Sequence, residues 1–529
     1  MRNFSFLDKS LLFLFLAVTI YIYTMSFSNN FIAGVDDDWG IYENKFVQNL
    51  TLDNLKIIWF NQTFDTYYIP LTFTSFAIDI HFWGNQAIMF KYSNLMLFTL
   101  SCILLCLLLK TFSINNYLII FSAAIFLIHP LQIETIALAT GRRQILSILF
   151  LIISLLFLHK SLKGHLIFRY FFISMFAYFL SLSSKPASLF FYPVILLVIL
   201  RAPSEIKAKA KILLAIFPSV ITIFILWMNY EASQRNFLEQ DFDYSFFQHI
   251  LIITSSFGFY LKQFFLGPYT FFYPLSSSFN FDYRNLIFNT LLFIAFIAMV
   301  SLFLKRNKKL GFAALGWYTL SLILPSLMVI LASDFPMNTA DRYFIYAGPS
   351  LFLIIGLFVY EYLFKYKYII LVAIFSIFSI QTIKQIPNWD SSIAVFEHSL
   401  KHYPTKEIAH RLAIMYFTKG DTKNAIKAIE KATTLNNGVD FNNHAHHNVQ
   451  VATIYSRAGK IEESNAIIFN SFKSDLEFSP NQDADSLIEN KIKDAIPLVI
   501  DIEKNAHWYY NTRASFINNH LAKLKEKRI

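Results

Sequence analysis

The chain has 529 residues, of which 55% are hydrophobic and only 15% are charged, and its mean hydropathy is +0.46. Because soluble domains carry about 25% charged residues, this composition excludes an ordinary cytosolic enzyme, a disordered chain and a secreted disulfide-rich domain, and it indicates a polytopic membrane protein. The net charge of +10 is typical of cytoplasmic loops rich in Lys and Arg, so no nucleic-acid partner is expected.

Twelve apolar stretches are candidate membrane spans, since a span needs about 20 mostly apolar residues. The first of them is not followed by a small-residue cleavage site and is interpreted as a retained span, not a signal peptide. In chain order the candidates are residues 10–27, 92–109, 117–129, 143–158, 165–182, 187–200, 211–229, 247–266, 285–304, 311–332, 343–360 and 368–386.

Basic loops set the expected orientation, because Lys and Arg concentrate on the cytoplasmic side. If residues 247–266 crossed fully, the basic cluster Lys305–Lys309 would lie outside. Residues 247–283 are therefore predicted to form a re-entrant or interfacial pair, broken at Gly267-Pro268 and Tyr273-Pro274.

The resulting prediction is an all-α membrane domain in residues 1–387, with eleven spans, the re-entrant pair and a cytoplasmic N-terminus. Its first outer loop, residues 28–91, shares the non-cytoplasmic side with the tail at 388–529. The tail is predicted to be a separate helical domain, because the apolar stretches stop there and polar helices begin.

Within the tail, small and large residues recur in the pattern of tetratricopeptide repeats. The second copy starts 39 positions after the first, against a usual period of about 34, so residues 436–447 are predicted to hold an insertion. Residues 390–402 and 484–525 are expected to cap the array; a generic pair of helical hairpins is the alternative. The matching positions are Leu412, Ala413, Tyr416, Gly420, Ala425, Ile429 and Ala432, then Val451, Ala452, Tyr455, Gly459, Ser464 and Ile468.

Two groups of residues have the appearance of metal sites. Cys102 and Cys106 are four positions apart in an apolar stretch, but two thiols alone make a poor site. A His-rich run at 444–447 follows several Asn residues, and without paired ligand spacing a solvated loop is expected there. No metal is predicted.

The first outer loop opens with three adjacent carboxylates, Asp36, Asp37 and Asp38. Their mutual repulsion is expected to raise the pKa of at least one of them, which suits a general base or a cation site. A solvated acidic turn after a helix is the plainer alternative.

Other ionisable groups occur at the ends of apolar stretches, and by the predicted topology all lie on the outer side. Such groups at membrane depth often mark a substrate path, although each alone is more often an interfacial anchor. Several cations at one face suit a phosphate, and a carboxylate beside them suits removal of an acceptor proton. The groups are His129, Glu134, Arg142, Lys185 and Arg342.

Six stretches also carry a family resemblance: Asp36-Asp37 with Ile41 and Asn44, Tyr68-Ile69-Pro70-Leu71-Thr72, His129-Pro130 with Glu134 and Gly141-Arg142, Ser184-Lys185, Asp341-Arg342-Tyr343, and Trp389-Asp390. In this order the chain resembles the C-type glycosyltransferases (the GT-C fold) of the transmembrane and tetratricopeptide-repeat group, which are protein O-mannosyltransferases that act on cadherins, and their bacterial relatives. Three positions depart from the family pattern, with Ile69 in place of Arg, Gln132 in place of His and Pro186 in place of Glu.

The resemblance implies inverting transfer of a hexose, such as mannose, from a polyprenyl-phosphate donor to a protein hydroxyl on the non-cytoplasmic side. It implies Asp36 or Asp37 as the base, a protein or peptide acceptor at the repeats, membrane lipid as a further partner, and neither a metal nor another cofactor. One phosphate contact is expected to be absent at Ile69 or supplied elsewhere. The residues implied to contact the donor are Arg142, Lys185, Arg342, His129, Glu134 and Tyr68.

The rival interpretation is a non-enzymatic envelope assembly factor that recruits partners through its repeats. Eleven spans are excessive for an anchor, which favours the transferase. A secondary transporter is disfavoured, because transporters usually contain two similar halves and no duplication is visible here. The abundance of Phe, Ile, Asn and Lys favours a bacterial inner membrane over the endoplasmic reticulum.

Overall fold

The computed structural model describes residues 4–60, 68–163, 166–233, 245–267, 269–270, 283–304, 306–331, 340–435 and part of 451–463. Within these residues the regular structure is entirely helical, which confirms the all-α prediction. The α-helices are α1 (Phe6–Ser26), α2 (Leu52–Phe60), α3 (Pro70–Trp83), α4 (Ala87–Thr111), α5 (Asn116–Ile128), α6 (Ile133–Ala137), α7 (Arg142–Leu162), α8 (Phe168–Ser184), α9 (Tyr192–Leu200), α10 (Ala208–Ser233), α11 (Phe246–Leu266), α12 (Tyr283–Phe303), α13 (Lys308–Leu331), α14 (Phe344–Tyr362), α15 (Lys367–Gln385), α16 (Ser392–His402), α17 (Lys406–Thr418) and α18 (Thr422–Thr434).

In the described part of the chain, seven helices are long and apolar enough to cross a membrane: α1, α4, α7 with the turn before it, α10, α12, α14 and α15. An eighth crossing is formed if α5 and the segment Pro130–Ala137, which are bent by 58°, act as one span. All twelve predicted apolar stretches are helical, but fewer than eleven meet the length of a span. Three are shorter than the about 20 residues that a span needs, since α5 has 13 residues, α8 has 17 and α9 has nine.

The predicted re-entrant pair begins with α11, a single helix of 21 residues. Ser245 and Gln248 form a capping box at its start, which satisfies backbone N–H groups that the helix leaves unpaired. It ends at Gly267, whose φ of +62° lies in the left-handed region that favours glycine. Pro268 and Tyr273-Pro274 lie outside the described residues.

A glycine allows α11 and α12 to lie in close contact. A Cβ atom at Gly258 would lie 1.7 Å from the backbone oxygen of Asn289, whereas a Cβ at Gly316 in α13 would meet no atom within 4 Å. Small residues at helix contacts let two backbones approach in this way.

We expect Gly258→Ala to lower the free energy of unfolding by about 1–3 kcal/mol, because the added methyl group forces the two helices apart. Gly316→Ala is the matched control and should be neutral or slightly stabilising. Thermal unfolding of the purified chain in detergent checks both variants. Equal midpoints for the two would show that the contact between α11 and α12 is not close.

The chain divides into two compact units between Val395 and Phe396, slightly after the predicted boundary at 387/388. The second unit contains α17 and α18, which begin at the caps Thr405 and Asp421 and pack through buried Ala and Ile side chains. Gly420 and Gly459 both have positive φ values, +82° and +76°. The tetratricopeptide interpretation stays a prediction, and its insertion at 436–447 and its cap at 484–525 lie outside the described residues.

In the first unit, the loop after α1 is held against neighbouring segments. Lys91 donates to the backbone oxygen of Ser28 at 3.1 Å, and the Ser28 hydroxyl donates to the backbone oxygen of Asp390 at 2.8 Å. Ile69 is buried in an apolar cluster with Ile41 and Phe73 beneath this loop. Position 69, where the family that the chain resembles carries Arg, is therefore a core position in this chain.

Candidate active site

The site is built at breaks between helices, where the chain is free to turn side chains toward each other. Asp36 follows α1, Glu134 lies in the short helix α6, and Arg143 is the second residue of α7. Lys185 stands between α8 and the next helical turn, and Arg342 lies in the turn before α14. Contacts among these residues bring the helix ends together.

A close contact between Gly141 and the backbone of Thr135, at the turn before α7, sets the direction of this helix. A Cβ atom at Gly141 would lie 2.2 Å from the backbone oxygen of Thr135, so only glycine fits between α6 and α7. This turn places Arg143 at the first turn of α7, next to Glu134 and the loop that carries Asp36. The glycine therefore positions the site, and its backbone oxygen accepts from the Gln144 amide at 3.0 Å in the orientation that satisfies both amide atoms.

The centre of the site is a chain of buried ion pairs. Asp36 pairs with the Arg143 guanidinium, and its Oδ2 atom lies 4.0 Å from Nη2 of Arg342. Arg342 in turn pairs with Glu134 through its side chain and donates its backbone N–H to Glu134 Oε2 at 2.8 Å. The Glu134 side chain is fully buried, so these contacts offset the loss of water around its charge.

Lys185 completes the positive side of the site. Its Nζ atom lies 4.7 Å from the centre of the Tyr343 ring, and it donates at 2.9 Å to the Gln144 amide in the orientation that satisfies both amide atoms. Burial, reinforced by the positive charges of Arg143 and Arg342, holds the pKa of Lys185 well below its usual value. An anion between these cations would relieve that repulsion.

Asp37, the other predicted base, makes its contacts within the protein. It is fully buried, and its carboxylate accepts hydrogen bonds from the Ile32 N–H at 3.0 Å, the Thr140 N–H at 2.9 Å, the Thr140 hydroxyl at 2.8 Å and the Ala139 N–H at 3.4 Å. Burial raises the pKa of Asp37 to about 6, and the hydrogen bonds oppose this shift. A pKa is thus raised in the acidic triplet as expected, but burial is the main cause.

We expect Asp37→Asn to lower the free energy of unfolding by about 1–3 kcal/mol, because the new amide N–H₂ would face backbone N–H donors. Asp38→Asn is the matched control, since Asp38 accepts one hydrogen bond, from the Gly34 N–H at 2.7 Å, that an amide oxygen can also accept. Thermal unfolding in detergent compares the two variants. Equal stability would contradict a structural role for Asp37.

Arg142 does not join the site with Lys185 and Arg342. It pairs with Asp79 of α3 at 2.6 Å and donates to Asn94 Oδ1 of α4 at 2.8 Å, and its guanidinium lies between the rings of Phe76 and Phe90, 5.4 Å from each centre. Its charge and its donors are used inside the helix bundle. The neighbouring Arg143 occupies the place that was predicted for Arg142.

His129 and Tyr68 are also engaged elsewhere. The His129 ring is buried among aromatic rings, with Nε2 3.2 Å from the Phe264 backbone oxygen and Nδ1 accepting from the Leu131 N–H at 3.2 Å. The Tyr68 hydroxyl donates to the Trp59 backbone oxygen at 3.1 Å. The structure gives neither side chain a contact with the ion-pair chain.

Sequence reasoning missed Arg143, Gln144 and Tyr343 as parts of the site. One signal was present: Asp79 stands alone in an apolar helix and requires a buried cation, which Arg142 supplies. Consecutive residues of an α-helix point about 100° apart. Because Arg142 pairs with Asp79, the adjacent Arg143 points in another direction and faces a different group.

No protein-family model, curated protein or solved structure matches this chain. The resemblance to C-type glycosyltransferases therefore rests on the sequence motifs alone. In the described residues, no group of three His, Cys, Asp or Glu side chains is arranged to hold a metal ion.

Proposed function

We propose that this protein is a membrane transferase that moves a hexose from a polyprenyl-phosphate donor to a hydroxyl group of a protein acceptor on the non-cytoplasmic side. The observation that carries this proposal is the buried contact of Asp36 with Arg143 and Arg342, with Lys185 beside them. A carboxylate next to several cations suits a reaction in which a proton leaves an acceptor while negative charge grows on a phosphate.

The cations have separate tasks in this mechanism. The phosphate of the leaving group gains charge as its bond to the anomeric carbon breaks, and preorganised cations stabilise that charge more than they stabilise the ground state. Arg342 is preorganised by its two contacts with Glu134, and Lys185 by Gln144 and Tyr343. Arg guanidinium groups suit the forked contacts of a phosphate, and Lys adds a point charge.

Asp36 is the proposed base. Its side chain is 13% exposed, whereas the Asp37 carboxylate is surrounded by four donors within the protein. An acceptor hydroxyl can thus approach Asp36 and not Asp37. This choice replaces the two alternatives that the sequence motifs left open.

A lipid-linked donor fits the location of the site. Arg143 and Arg342 lie at the starts of two helices that are long and apolar enough to cross a membrane. A phosphate attached to a polyprenyl chain would place its headgroup at such helix ends and its chain along apolar helices. The second unit is the proposed binding surface for the protein acceptor, because stacked helical repeats form concave surfaces for peptides.

The test is intact-mass analysis of envelope proteins from cells with and without the chain. We expect at least one protein to lose the mass of a hexose when the chain is absent, and to regain it with the wild-type chain but not with Asp36→Asn at equal membrane level. Unchanged masses would favour the envelope assembly factor, in which the repeats recruit a partner and no group is transferred.

A further inference from the structure

The three cations of the site are held by different kinds of partner. Arg342 is fixed by a buried carboxylate at two of its atoms, and Lys185 by an amide and an aromatic ring. Arg143 pairs with Asp36 and lies 5.9 Å from the centre of the Trp39 ring. Its Nε atom is buried without a hydrogen-bond partner. Arg143 thus has a donor that a further group can use.

The ion pair of Arg143 with Asp36 occupies one oxygen of the Asp36 carboxylate. The guanidinium of Arg143 pairs with Oδ2 of Asp36, and Arg342 stands 4.0 Å from that same atom. An oxygen that already accepts from a cation is poorly placed to accept the proton of an acceptor hydroxyl. As described, Oδ2 of the proposed base is therefore occupied by one of the cations proposed to hold the phosphate.

We infer that Arg143 is a latch on the base: it holds Asp36 when the site is empty and releases it when the phosphate group of the donor enters. This inference rests on the proposed function. The buried Nε of Arg143, which has no hydrogen-bond partner, also points to an anion, because a phosphate oxygen would satisfy this donor.

The latch imposes an order on the reaction. The donor binds first and draws the Arg143 guanidinium to its phosphate, and Asp36 then accepts the hydrogen bond of the acceptor hydroxyl. In the transfer step the acceptor oxygen forms a bond to the anomeric carbon, and the bond from that carbon to the phosphate oxygen breaks. The electron pair goes to the polyprenyl phosphate, and the hydroxyl proton goes to Asp36. Asp36 is thus free to accept a proton only when the donor, which carries the leaving group, is bound.

Carboxyl labelling of the full chain in detergent tests this inference. Dicyclohexylcarbodiimide, followed by peptide mass analysis, should modify Asp36 weakly in the wild type and several-fold more when farnesyl phosphate is added, whereas farnesol should have no effect. Inorganic phosphate is a further arm, and a rise with it would also support the latch and show that the prenyl chain is not needed. Asp79, paired with Arg142, is the internal control and should not change.

Variants of Arg143 supply a second readout. Arg143→Gln should leave Asp36 labelled without any phosphate, raise the KM for the donor about tenfold to a hundredfold through loss of charge-assisted contacts, and remove the donor-first order of binding. Arg143→Lys should keep the order. A purely structural role would not change the order of binding.

The latch would be overturned if labelling of Asp36 in the wild-type chain stayed unchanged or fell with both farnesyl phosphate and inorganic phosphate. This outcome does not depend on whether the variants fold. The labelling needs no sugar transfer. A chain that transfers no hexose but shows phosphate-dependent labelling would therefore contradict the transferase and retain the latch.

Discussion

Replacing Asp36 with Asn should reduce hexose transfer by about 10²- to 10⁴-fold, the usual contribution of a positioned general base. The amide keeps the size of the side chain but cannot accept the acceptor proton. The measurement is transfer of labelled hexose from a polyprenyl-phosphate donor by the reconstituted chain in vesicles.

The control for this prediction is Asp38→Asn, which changes the charge of the same loop by the same amount. Asp38 accepts from the Gly34 N–H, and the ion-pair contacts of the site are made by Asp36. Asp38→Asn should keep most of the transfer activity. Wild-type transfer by Asp36→Asn would exclude Asp36 as the base.

Replacing Arg142 with Ala should lower the free energy of unfolding by about 3–5 kcal/mol, because it leaves the buried Asp79 carboxylate without its cation. Asn94 and the backbone oxygens of Ser75 and Phe90 would also lose a donor. Unfolding of the purified chain in detergent, followed by circular dichroism, measures this effect.

A second substitution separates stability from donor binding. Arg142→Met together with Asp79→Leu removes both charges and fills the space with apolar atoms, so stability should return close to the wild-type value. Hexose transfer should return with it, since Arg142 does not contact the site. A stable double variant with no donor binding would restore the original prediction that Arg142 holds the phosphate.

Arg142 and Arg143 show how adjacent identical residues acquire different functions. The first contacts α3 and α4 from α7, and the second faces the loop that carries Asp36. The same division separates Asp37, which holds the loop to the turn at Thr140, from Asp36, which faces the cations. In each pair one residue holds helices or a loop together, and the other belongs to the chain of ion pairs.

The amino-acid sequence by itself determined the helical class, the positions of the apolar helices and the locations of the breaks between them. These features follow from local composition: long apolar stretches form helices, and residues such as Pro130, Gly141 and Gly267 interrupt them. The concentration of ionisable residues at these breaks was visible for the same reason, since charges are excluded from apolar helices unless they are paired.

Only the tertiary structure decided which of those charged residues meet. Asp37 contacts Thr140 across 103 positions of the chain, and Arg342 contacts Glu134 across 208. Such contacts depend on how helices pack and on the direction of each side chain, which a single sequence does not encode in its local pattern. His129 lies away from the ion-pair chain for this reason, because it packs among aromatic rings that come from distant helices. Local polarity predicts where a charged group lies along the chain, and long-range packing selects its partner.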